Sequence, residues 1–108
     1  MVTPNYPLRY KIKLHPEVVS IDSKRFDSST RDKIKKKCVE LLSQKPGEVG
    51  EPLKGPLKRY RKLKVFNDYR VVYRVDKGAV IVFVLAVGIR RDLEVYELAL
   101  NRLSPSGS

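Results

Sequence analysis

The chain has 108 residues and 42% hydrophobic content, which is enough for one core and one domain without a metal or disulfide staple. One cysteine, Cys38, and one histidine, His15, exclude an internal disulfide and a Cys/His zinc site. A net charge of +11 points to a polyanionic partner, either nucleic acid or an acidic protein.

The longest uninterrupted apolar run, residues 79–87, is far too short to span a membrane. The first fourteen residues carry proline and charge where a signal peptide needs an apolar stretch. A cytoplasmic protein with no membrane association is expected.

Leu8, Tyr10, Ile12 and Leu14 alternate with Arg9, Lys11 and Lys13, the period of a half-buried strand. His15-Pro16 ends it, and Pro16 is suited to open a short helix over residues 17–26, with Val18, Ile21 and Phe26 as apolar contacts. Residues 27–30 supply N-cap side chains for a second helix. Along it Ile34, Cys38, Leu41 and Leu42 share one face, Lys33, Lys35, Lys36 and Lys37 cover the other, and Pro46-Gly47 stops it. The two helices form a hairpin.

Residues 48–56 read as a Gly/Pro-rich loop. Three strands follow. Over residues 62–65, Leu63 and Val65 point one way and Lys62 and Lys64 the other. Over residues 69–75, Tyr69, Val71, Tyr73 and Val75 share one face, opposite Arg70, Val72 and Arg74. Residues 76–78 make a turn, and residues 79–87, apolar on both faces, form a central strand that Gly88 breaks. Residues 92–103 close the fold as a helix, and 104–108 are a polar tail. The order β-α-α-β-β-β-α predicts a single α+β domain, a helical hairpin on a largely antiparallel four-stranded sheet.

Nucleophilic triads are unavailable, since the lone histidine sits beside a proline at a strand end. Cys38 falls on the apolar helix face as a small core residue. The only phosphate-loop candidate, residues 53–57, has one glycine and no Walker pattern. What remains is charge. Residues 53–74 hold eight cations against Asp68 alone. If the strands at 62–65 and 69–75 form a hairpin, Lys62, Lys64 and Arg70 converge on one surface. Arg90 lies just past the central strand, and Tyr96 sits one turn into the last helix.

Such a set suits a phosphodiester. Cleavage by a ribose 2′-hydroxyl needs a base, stabilisation of a charged phosphorane and help for the departing 5′-oxygen. A lysine crowded by other cations gives up its proton more readily. An arginine fork fits phosphate oxygens, and a tyrosine can stack on a base. The residues alone fit phosphate binding and phosphodiester cleavage equally well.

The sequence also resembles a family. Leu53-Lys54-Gly55, residues 60–65, residues 68–73, Val87-Gly88-Ile89-Arg90-Arg91 and Val95-Tyr96-Glu97 look like successive landmarks of the RelE/ParE toxin superfamily, and the resemblance covers residues 8–103. It implies a toxin domain over residues 1–103 followed by the 104–108 tail. RelE-like members are ribosome-dependent endoribonucleases that cut mRNA in the ribosomal A site. ParE-like members poison DNA gyrase and lack the basic catalytic set. The RelE pattern of two alternate lysines, two arginines and a helix-borne tyrosine is matched by Lys62, Lys64, Arg70, Arg90 and Tyr96. This match assumes a short loop before Tyr69, which keeps Leu63 and Val65 in the core.

By that resemblance Lys64 is the general base helped by Lys62, and Arg70 stabilises the phosphorane. Arg90 assists the leaving group, and Tyr96 stacks on or orients the substrate. Arg61, Arg74, Arg91 and Lys36 are the further cations expected to meet mRNA or ribosomal RNA. The resemblance implies no metal or other cofactor. It does imply an acidic or amphipathic, RelB-like antitoxin and a ribosome carrying mRNA as partners. The alternatives are a ParE-like gyrase inhibitor and a catalytically silent RNA- or ribosome-binding homologue.

Overall fold

The structure, a computed structural model, describes residues 9–89 and 94–103. Strand β1 (Lys11–Leu14) leads through His15 into helix α1 (Pro16–Ser20). Pro16 takes a first-turn position, where its missing N–H is no loss, and the His15 ring Nδ1 caps the helix by accepting the Glu17 amide at 3.1 Å. The predicted helix over 17–26 is split: after α1 the chain turns at Ile21 into a 3₁₀ turn, Asp22–Arg25. That break carries Asp22 into the interior.

Helix α2 (Ser28–Leu42) is capped by Asp27, whose Oδ1 accepts the Thr30 amide at 2.7 Å. This hydrogen bond holds the Asp27 carboxyl below its usual range. Pro46-Gly47 does not simply end the helical region, for Pro46–Val49 forms a one-turn helix, α3, with the proline again in the first turn.

Among the described residues the sheet has five strands rather than four, in the order β1, then residues 81–89, 69–76, 61–65 and 51–52. The extra strand β2 (Glu51–Pro52) lies in the predicted loop and pairs antiparallel with β3 (Arg61–Val65). Two residues, one of them a proline, suit an edge position and little else. Strand β3 pairs antiparallel with β4 (Tyr69–Asp76), and β4 with β5 (Ile81–Ile89). Among the described strands only β1 runs parallel to its neighbour, β5. Gly88 lies inside β5 instead of ending it.

Side-chain alternation gives the sheet an apolar cluster on each of its two faces. Leu63, Val65, Val71, Tyr73, Val82 and Val84 bury one sheet face against Val18 of α1 and Ile34, Cys38 and Leu42 of α2. Val72, Leu85 and Ala86 bury the other against Leu57 and against Val95 and Ala99 of helix α4 (Glu94–Leu103). Burial pushes the Cys38 thiol up to about 12. The start of the predicted first strand at Leu8, the start of the last helix at 92–93 and the 104–108 tail lie outside the described residues. Among the described residues, no helix is long and apolar enough to cross a membrane.

Candidate active site

Strand register decides which cations can act together. Lys64 is directly opposite Arg70, and Lys62 is opposite Val72. Because Leu63 and Val65 are buried on the α2 face, Lys62 and Lys64 emerge on the α4 face, as the short-loop alignment requires. Arg70 pairs on its other side with Gly88, and a Cβ at Gly88 would lie 2.8 Å from the Val95 Cβ of α4. Lys64, Arg70 and Gly88 thus form one row across three strands, and Val95 closes its end. Tyr96 follows Val95 and packs, half-buried, against the Leu57, Val72, Leu85 and Ala86 cluster. The glycine lets the helix sit directly on the sheet beside the cations.

Each cation is held differently. Lys62 lies 3.7 Å from Glu51 Oε1, the residue opposite it on β2. Among the described residues Lys64 has no ion-pair partner, and it is exposed. The Arg70 Nη1 donates to the carbonyls of Tyr69 at 3.0 Å and Asn67 at 3.2 Å, which folds the guanidinium onto the β3–β4 turn. Arg74 lies four residues along β4 from Arg70, opposite Phe83, with its guanidinium carbon 4.6 Å from the Phe83 ring centroid.

Two cations expected to meet RNA sit elsewhere. Arg61 shares the α2 face with Leu63 and Val65, and its Nη2 donates to the Gly50 carbonyl at 2.6 Å. The Arg61 side chain also leans toward Tyr73, whose hydroxyl donates to the Pro46 carbonyl at 2.6 Å. Burial raises the Tyr73 phenol, and the Arg61 charge opposes that rise without cancelling it. Lys36 is exposed on α2, across the sheet from the lysine pair. Arg90 and Arg91 lie outside the described residues.

An apolar groove of about 410 Å³ lies on that other face, floored by Ile12, Val18, Cys38 and Val84, and holds none of the site cations. Among the described residues no cluster of three or more His, Cys, Asp or Glu could hold a metal ion.

Sequence reasoning missed two features that shape this region. Glu51 had no signal, because the pairing of β2 was hidden in a loop-like sequence. The second is a buried network in which Arg102 of α4 meets Asp22 with two hydrogen bonds of 2.8 Å.

Strand-borne cations on one face of a mixed sheet, beside a helix-borne tyrosine, define a small basic α+β protein with a cationic sheet face. The family model described as the ParE toxin of the type II toxin-antitoxin system, parDE, matches residues 12–94. The chain is 36% identical over 80 residues to the mRNA interferase toxin RelE of Escherichia coli strain K12, covering 74% of this chain and 83% of that protein. Among solved structures it is similar to a mutant E. coli toxin RelE in the free state, with a TM-score of 0.69 and 30% identity over 88% of this chain and 98% of that one. It is also similar to the intact E. coli RelBE toxin-antitoxin complex, with a TM-score of 0.59 and 30% identity over 73% of this chain and 94% of that one. The chain belongs to the RelE/ParE superfamily of type II toxins.

Proposed function

We propose that this toxin is an mRNA interferase, a ribosome-dependent endoribonuclease that cuts mRNA in the A site. The observation that carries this reading is the row Lys64, Arg70 and Gly88, with α4 seated at its end. Two cations directly opposite one another on a sheet repel when the face is empty, and an anion between them reverses the sign. A phosphodiester is such an anion. Lys64, exposed and without an ion-pair partner among the described residues, takes the proton of the 2′-hydroxyl in its neutral amine form. The 2′-oxygen bonds to phosphorus, and Arg70 meets the charge that develops on the phosphorane oxygens. The P–O5′ bond breaks and the departing oxygen takes a proton from solvent water, leaving a 2′,3′-cyclic phosphate and a 5′-hydroxyl.

Lys62, tethered by Glu51, adds positive charge beside the base. Arg90, by family resemblance, stabilises the departing 5′-oxygen, and Tyr96 orients the substrate from α4. The charge of +11 favours fast association with ribosomes and with an acidic, RelB-like antitoxin. The RelE identity supports mRNA cleavage, and the likeness to the RelBE toxin-antitoxin complex supports the antitoxin. Arg70→Ala tests the site: it is expected to relieve growth arrest while leaving the thermal unfolding curve in place. An Arg70→Ala protein that stays fully toxic contradicts the assignment.

A second reading has one observation in its favour, the match to the ParE family model. A gyrase poison needs no base at Lys64. Inhibition of DNA supercoiling by the purified toxin, unchanged in Lys64→Ala, would establish that reading in place of the nuclease.

A further inference from the structure

The β3–β4 turn, residues 66–68, begins with a large aromatic residue outside both apolar clusters. Phe66 is 51% exposed and packs in neither apolar cluster. Its backbone is left-handed, with φ +52°, and Asn67 follows at +65°. Two successive positive φ values are tolerated by glycine, asparagine or aspartate and are strained for a bulky aromatic residue. Val80 is also left-handed, at φ +58°, but it is half-buried and its carbonyl accepts the Lys11 amide at 3.0 Å. Phe66 carries its strain with half of its surface still in water.

What Phe66 has is position. It stands two residues beyond Lys64, and the Arg70 guanidinium is folded onto the carbonyl of Asn67, the next residue along. A half-exposed aromatic residue on the turn that joins two cation-bearing strands suits single-stranded nucleic acid, with the charges on the backbone and the ring on a base. We propose that Phe66 is a stacking platform for an unpaired RNA base flanking the phosphodiester held by Lys64 and Arg70. This rests on the mRNA interferase reading.

The test uses purified toxin and mRNA on programmed ribosomes, at toxin concentrations below saturation, with a thermal melt of each protein. Phe66→Asn places a residue that accepts left-handed backbone, so it should melt no lower than the parent yet cut about 5- to 150-fold less efficiently. Phe66→Trp keeps a stacking surface and should cut within about threefold of the parent. Stability and cleavage moving apart in Phe66→Asn, with rescue by tryptophan, is the result expected. If the parent cuts and Arg70→Ala does not, while Phe66→Asn cuts like the parent, the stacking role is overturned and the nuclease reading stands. Should Phe66→Trp cut as poorly as Phe66→Asn, the stacking role is likewise overturned. If the parent itself does not cut, both fall together.

Discussion

Asp22 and Arg102, eighty residues apart, meet in a buried two-pronged ion pair at 2.8 Å that ties the 3₁₀ turn to the last turn of α4. Asp22 is fully buried, and the Arg102 side chain is 2% exposed. The pair sits where β1 has ended and β5 continues. Asp22 Oδ2 accepts the Val87 amide at 2.8 Å, and Arg102 Nη1 donates to the Leu85 carbonyl at 3.0 Å. The two side chains therefore satisfy backbone groups beyond the reach of the parallel neighbour strand. Burial alone would lower the Arg102 pKa, but the hydrogen bonds and charges of Asp22 and then Glu17 outweigh it and raise it. Through Arg102 the network also fixes where α4, and with it Tyr96, lies along the sheet.

Breaking this pair on one side leaves a buried charge alone. Asp22→Ala is expected to destabilise the fold by about 3–5 kcal/mol. Adding Arg102→Met should restore part of the loss, since no lone charge remains. It should not restore all of it, because the Val87 N–H and Leu85 carbonyl stay unpaired at about 1–3 kcal/mol each. Urea unfolding of the two single variants and the double variant measures this. A single variant as stable as the parent would contradict the account of the network.

Gly88 sets the approach of α4 to the cations. A methyl group there meets Val95 Cβ at 2.8 Å, inside van der Waals contact, so helix or strand must shift. Gly88→Ala is expected to cost about 1–3 kcal/mol. At a temperature where it remains folded, it should also cut mRNA less efficiently than the parent, because Tyr96 moves with the helix. Thermal melts alongside cleavage assays separate the two effects.

Glu51 restrains Lys62 from an exposed edge strand. Surface pairs of this kind contribute about 0–1 kcal/mol, so Glu51→Gln should leave stability nearly unchanged. It should strengthen ribosome association and steepen its dependence on salt, since one more cation is available to phosphate. Binding measured across a salt series checks this, and an unchanged slope would argue against Lys62 as a phosphate contact.

Cys38 gives the protein an alkaline limit. Its thiol titrates near the ordinary value of 9.0 in the unfolded chain and at about 12 when folded. The thiol therefore detracts nothing below pH 9, and its protonated burial stops helping as the unfolded chain ionises. Stability should fall between about pH 9 and 12 as the unfolded state sheds the proton that the folded state retains. The same burial should protect Cys38 from alkylation until the protein unfolds. Cys38→Ala should lessen the alkaline loss in denaturant titrations.

The parts of this fold that were legible in the sequence are those with local periodicity. Alternation at residues 62–65 and 69–75 placed Leu63, Val65, Val71 and Tyr73 in the core, and the structure buries all four. The helical spacing of Ile34, Cys38 and Leu42 was equally plain. Arg61 shows a signal present but unused, since the rule that sends Lys62 and Lys64 to one face sends Arg61 to the other. Asp22 gave no signal, for an acid within a short amphipathic run looks like a solvated helix residue until its partner, eighty residues on, is known. Strand β2 was hidden because two residues carry no period and proline argues against a strand.

The central claim is that the row of Lys64 and Arg70 cuts mRNA within the ribosome. It is tested most directly by primer extension on an mRNA incubated with the purified toxin, with and without programmed ribosomes, beside Arg70→Ala. Breaks inside A-site codons that require the ribosome and vanish in Arg70→Ala are the result expected. An mRNA that stays intact under both conditions, or breaks that persist in Arg70→Ala, would contradict it.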